Sequence, residues 1–182
     1  LTASIFNGTD KLDNSSDFSG SGFGGGGDFS QTSTDLTRYG NIGLSMKWSR
    51  KWNDKLYGNT IASYSNYYSK RDRSMERTRT DENDETTTVK DGIIENNDLR
   101  DYSFKSEYEW DIASFSQLQF GAFATYFDVD YSYAQNDTAS VLERHDNAVL
   151  LGGYLQNEFK FFKEKISFMP GVRYSYYDQT NQ

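Results

Sequence analysis

The sequence predicts an all-β chain: a segment of an antiparallel barrel whose strands cross a membrane. Three observations carry that expectation. Apolar and polar residues alternate over stretches of about a dozen, long for a strand in a globular sheet but suited to one that crosses a bilayer at a tilt, which takes roughly 9–11 residues. The chain is rich in rings yet hydrophilic, with 14 Tyr, 13 Phe and 3 Trp in 182 residues, 35% of them hydrophobic, and a mean hydropathy of -0.83. A disordered acidic chain lacks such rings, whereas a wall with one apolar face, one polar face and polar loops explains both features. Third, the connections between the alternating stretches are long and short by turns, as in outer-membrane barrels with short periplasmic turns and longer outward loops.

Taken in order, Leu1–Phe6 reads as the end of a strand, and Asn7–Asp35 as a long exposed loop, since Gly20, Gly22 and Gly24–Gly27 stand there among serines and aspartates. No Gly-Lys-Ser/Thr follows those glycines, so a phosphate-cradling loop is not expected. Leu36–Ser49 alternates, with Ile42, Leu44, Met46 and Trp48 on one face. The short turn Arg50–Lys55 leads to Leu56–Lys70, where Leu56, Ala62, Tyr64 and Tyr68 are expected outward. Arg71–Asp98 is a second long loop, basic at its start and acidic at Asp81–Glu85. Leu99–Trp110 alternates most cleanly, setting Tyr102, Phe104, Tyr108 and Trp110 against Asp101, Ser103, Lys105, Glu107 and Glu109. After the turn Asp111–Ser116, the stretch Gln117–Tyr133 keeps Leu118, Phe120, Ala122, Ala124 and Tyr126 together. Beyond Tyr126 the apolar phase moves to Phe127, Val129 and Tyr131, which calls for a bulge or for emergence above the membrane. The loop Ala134–Asp146, the strand Asn147–Phe162, a turn at Lys163–Lys165 and the strand Ile166–Tyr177 complete the series.

Aromatic residues flank all three short turns: Trp48 and Trp52, Trp110 and Phe115, then Phe159, Phe161 and Phe162. A second set, including Tyr64, Tyr68, Tyr102, Tyr126, Tyr174 and Tyr176, stands about eight residues further along, a rise of roughly 20 Å for a tilted strand, close to the apolar band of a membrane barrel. No apolar run approaches the roughly 20 residues of a transmembrane helix. Cysteine is absent, and the formal net charge of -8 argues against a nucleic-acid partner. Asp178–Gln182 trails off without a terminal aromatic, so the chain reads as an interior piece of a longer barrel.

The last hairpin, Gly152–Tyr177, carries Tyr154, Gln156 and Glu158 before its turn and Pro170, Gly171, Arg173 and Tyr174 after it. It resembles the barrel of TonB-dependent outer-membrane receptors, in which a Y-x-Q-x-E strand turns into a P-G-x-R-Y strand, and Tyr39–Ser65 is similar to Bacteroidetes members of that family. The resemblance implies a 22-stranded barrel in a Gram-negative outer membrane, of which residues 1–182 supply six to seven strands. The plug domain and the TonB-contacting segment are not expected in these residues. The implied activity is uptake of a scarce nutrient, such as siderophore-iron, haem, cobalamin or an oligosaccharide, with energy from the TonB complex. Neither catalysis nor a cofactor is implied. A passive porin and a secreted β-sandwich binding module remain as alternatives.

For ligand capture the sequence offers the basic start of the second long loop, Arg71, Arg73, Arg77 and Arg79, and the tyrosines Tyr67 and Tyr68 near the mouth. Neither a metal centre nor a catalytic group is expected. His145 is read as a solvated loop histidine. Lys105, Glu107, Glu109, Glu158, Lys160 and Arg173 form a lumenal charge network, and the acidic run Asp81, Glu82, Asp84 and Glu85 is a solvated loop, lacking EF-hand spacing.

Overall fold

A computed structural model describes residues 1–21, 28–81, 85–136, 139–162 and 165–181, which form one antiparallel sheet without a helix. β1 (Thr2–Asp13) and β2 (Ser16–Ser21) lie end to end along β3 (Asp28–Asn53). Then β4 (Leu56–Thr80), β5 (Thr86–Ala113), β6 (Ser116–Gln135) and β7 (Ala139–Phe161) follow as sequential neighbours. At the far edge β8 (Ile166–Phe168) and β9 (Gly171–Asn181) lie end to end along β7. The sheet therefore has seven lanes and is open, β1/β2 and β8/β9 being its edges.

The three stretches expected as long loops are mostly strand. Asn7–Asp13 pairs with Ile42–Leu36 and Ser16–Ser21 with Ser33–Asp28. Arg71–Asp98 is a hairpin whose arms stay in register from Arg71↔Glu95 to Thr80↔Thr86, and β6 and β7 reach Gln135 and Ala139. The reason is physical: a ladder satisfies backbone groups whatever the side chains, whereas apolar alternation appears only where one face is covered. Gly22–Gly27 of the first expected loop, Lys163 and Glu164 of the expected last turn, and the acidic residues Glu82–Asp84 fall outside the described residues.

Register fixes the two faces. Leu44↔Tyr64, Tyr64↔Tyr102, Tyr102↔Tyr126 and Tyr126↔Val149 form one row, and Met46, Ala62, Phe104, Ala124, Leu151 and Tyr176 form the next. Phe120, Leu155 and Val172 continue the same face, called here the Phe104 face. The opposite, Glu107 face has the row Ser49, Asn59, Glu107, Gly121, Tyr154 and Arg173. No bulge follows Tyr126: the β6–β7 register runs unbroken to Tyr133, so Phe127, Val129 and Tyr131 sit on the Glu107 face and Asp128 and Asp130 on the Phe104 face. The change of phase is a change in what each face carries.

Neither face is covered. Ala148 is the one buried apolar side chain among the described residues, while Phe104 is 52% exposed. A lone layer of this kind has no core of its own.

The short ends are built by side chains. Asn53 Oδ1 accepts the backbone N–H groups of Lys55 and Leu56 at 2.8 and 2.9 Å, closing the first turn. A register shift between Lys51 and Asn53 leaves Trp52 as the extra residue of a bulge, and its ring stands 6.0 Å from that of Trp48 with the Arg50 guanidinium 4.1 Å above it. Successive turns step along the sheet. β5 runs three residues past the Leu56↔Trp110 row, to Ala113, and β7 runs two past Ser116↔Phe159, to Phe161. Such a stagger across four strand spacings, at roughly 3.3 Å per residue and about 4.8 Å per strand, tilts the strands about 40° from the perpendicular to the line of the turns. Between β8 and β9, the Pro170 carbonyl accepts the Asn157 N–H at 2.9 Å, but proline has no N–H to return.

Candidate functional site

Beyond the tyrosine row Tyr64–Tyr102–Tyr126, whose rings lie 5.0 and 6.1 Å apart, β3, β4 and β5 continue as a polar blade. Alternation puts the odd-numbered residues of β4, Tyr67, Arg71, Arg73, Arg77 and Arg79, on the Glu107 face. Tyr68 is on the opposite face, where its ring lies across Gly40, whose added Cβ would meet the hydroxyl at 2.6 Å. The six residues singled out in the sequence therefore do not form one site. Five make a lane that spans roughly 40 Å from Tyr67 to Arg79.

Each of the first three arginines is held by a neighbour. Arg71 Nε lies 3.3 Å from Asp35 Oδ1, Arg73 Nη2 lies 3.6 Å from Glu95 Oε2, and Arg77 Nε donates to Gln31 Oε1 at 3.0 Å. A shallow hollow on this face is lined by Ser33, Asp35, Arg73, Met75, Arg77 and Ile93. The ion pairs are partly exposed, so each is worth about 0–1 kcal/mol.

Lower on the same face lies the charge network expected from the sequence. Lys105 Nζ is 2.7 Å from Glu107 Oε1, which also accepts the Tyr154 hydroxyl at 2.8 Å. Lys160 lies 3.9 Å from Glu158, and the Arg173 guanidinium stands 5.0 Å over the Phe123 ring. Gln156 Nε2 donates to Gln119 Oε1 at 2.7 Å. The Tyr154 and Gln156 contacts tie strands together across the charged face.

A second cluster was missed in the sequence. On the Phe104 face, above the tyrosine row, Arg100 reaches Asp98 at 2.9 Å, Asp128 at 3.0 Å and Asp130 at 3.2 Å. His145 Nδ1 is 2.6 Å from Asp130 Oδ1. His145 is exposed, as expected, but it is a strand residue with a carboxylate partner and not a loop histidine; β7 carries it in register with Asp130. The Asp130 hydrogen bond pushes its imidazole above the ordinary value, ahead of the opposing desolvation, and Asp98, foremost among the three carboxylates, pushes Arg100 up likewise. Asp128, Asp130 and His145 each offer a ligand atom within 4.8 Å of the others, and both carboxylates also pair with Arg100 in one ion-pair cluster. The signal was the i, i+2 spacing of Asp98 with Arg100 and of Asp128 with Asp130, on strands that pair.

Compared with known proteins, the chain matches no family profile and no curated sequence. The geometry of its two faces carries the functional reading.

Proposed function

We propose that this chain is part of the wall of a TonB-dependent outer-membrane receptor that takes up a scarce nutrient, with the arginine lane of its blade as the ligand-capturing surface. The observation that carries this reading is the Phe104 face, a largely apolar band across the lanes between aromatic rows, broken by the hydrogen-bonded Thr60–Ser106 pair near its middle and backed by a charged face with no core between them. In water such a band is uncovered; lipid covers it. The inclination of about 40° matches the tilt of transmembrane barrel strands. In the last hairpin Tyr154 is registered with Arg173 and Gln156 with Gly171, so four of the residues that resemble the receptor family lie side by side on the charged face, while Tyr174 lies on the Phe104 face. Strands of 20 to 28 residues are far longer than those of a β-sandwich.

The full-length protein in a Gram-negative host tests this. Arginine on a lipid face costs roughly 2–4 kcal/mol near the bilayer midplane, so Phe104→Arg should strip the protein from the outer-membrane fraction while Glu107→Arg leaves it there. Equal assembly of both variants would remove the two-face reading. Uptake of the transported solute should stop when the proton-motive force is collapsed; uptake that continues points to a passive porin.

A further inference from the structure

On the Phe104 face, two residues beyond Gly40 and Tyr68, Lys11, Arg38 and Lys70 stand directly opposite one another on three adjacent lanes: Lys11↔Arg38 on β1 and β3, Arg38↔Lys70 on β3 and β4. Like charges opposite one another destabilise a ladder unless something offsets them. Lys11 has Asp13 at 3.2 Å. Arg38 and Lys70 make no ion pair or side-chain hydrogen bond among the described residues, and both are exposed. The nearest carboxylates on this face are one repeat away: Asp13 and Asp72 from Arg38, Asp72 and Asp98 from Lys70; Asp98 is taken by Arg100, and Asp72 forms no ion pair with Lys70 or Arg38 among the described residues. The contrast along the same face is sharp: Arg100 collects three carboxylates, whereas this basic row collects one, at its edge.

The position says what fills the gap. The row lies on the face that is apolar below it, past Ile5, Leu44 and Tyr64, and Lys70 lies one strand repeat beyond Tyr68, a rise of roughly 5 Å for a tilted strand. Basic side chains there, just past Tyr68, bring ammonium and guanidinium groups to the level of the headgroups. We propose that Lys11, Arg38 and Lys70 form a docking site for the phosphates of anionic outer-leaflet lipid. This rests on the membrane reading above and adds a specific lipid contact to it. The arginine lane, on the opposite face, takes no part.

The test uses the full-length protein purified in detergent, mixed with bis-phosphorylated lipid A, with its dephosphorylated form, or with inorganic phosphate alone, and native mass spectrometry of the bound species. The protein should retain phosphorylated lipid A over the dephosphorylated form, and Arg38→Gln/Lys70→Gln should lower that retention by roughly 30-fold, the loss of two basic contacts with an anionic surface. Lys55→Gln, on the first short turn, should leave it unchanged. Retention of the dephosphorylated lipid equal to that of the phosphorylated one, or an unaffected double variant, overturns the site. Competition by millimolar inorganic phosphate that removes all lipid preference overturns the lipid assignment. A double variant that still shows a heat-modifiable band on gels is folded, so lost retention then supports the site. If the wild type stays monodisperse without detergent, the membrane reading falls and this proposal falls with it. If it needs detergent yet ignores the phosphates, this proposal alone falls.

Discussion

At residue scale, single atoms decide whether lanes can approach. Gly152 lies between Phe123 and Ser175, and a Cβ added to it would run into the Phe123 ring and stand 2.8 Å from the Tyr174 carbonyl oxygen. The ring can swing away, but the carbonyl is backbone. Gly152→Ala should therefore cost about 1–3 kcal/mol, as overpacking does, whereas Gly43→Ala, whose nearest neighbour is 3.9 Å away, should stay within about 0.5 kcal/mol. Urea midpoints of the micelle-bound protein would separate the two, and equal midpoints would refute the close approach. His145 gives a second expectation. With Asp130 and Asp128 beside it and Arg100 opposing, its raised pKa means that protonation favours the native state. That contribution is complete below the unfolded value near 6.5 and fades as pH rises through the raised native value. Asp130→Asn should bring the imidazole titration, followed by NMR, back down; an unmoved midpoint would contradict the pairing.

At the scale of elements, the membrane-length strands were legible because one face had to be apolar: Phe104, Phe120, Leu151 and Val172 all fell where alternation put them. The blade was not legible by that rule, since both its faces are polar. A different signal was present. Thr86–Thr88 with Val89 is a β-branched run, and Thr78 and Thr80 face it, their hydroxyls 3.1 and 3.2 Å from those of Thr88 and Thr86. Of the candidate site, the sequence singled out the four arginines but expected them in a loop; their common face with Tyr67, the departure of Tyr68 and the clasp around Arg100 all needed the register. Replacing Ser74–Gly92 by an Asn-Gly turn keeps Arg73 opposite Ile93 and removes Arg77 and Arg79. Membrane assembly should survive while affinity for the solute falls about tenfold or more. Unchanged affinity would make the blade a surface excursion only.

At the scale of the molecule, every strand that passes the tyrosine row extends at the same end of the sheet, while the other end closes in tight turns such as the one held by Asn53. On the membrane reading the blade faces outward. A cysteine at Thr86 should react with an impermeant maleimide on intact cells several-fold faster than one at Asp54, where Lys51, 2.7 Å away, holds the carboxylate below its usual range. The reverse order would invert the topology.

Pro170 settles how the far side of the sheet is presented. Because its carbonyl takes the Asn157 N–H, residue 170 belongs to a pair whose hydrogen bonds point inward to β7. The donor that proline lacks is one the sheet's interior loses, so the sacrifice is made against β7, where neighbouring bonds carry on. Gly171, Arg173 and Ser175 turn their own N–H and C=O groups the other way, into open space. A proline one position along would have blunted that rim; at 170 it leaves it adhesive. The sheet therefore ends on an unfinished seam, ready to take a further strand, and if none is supplied the chain should recruit another copy of itself.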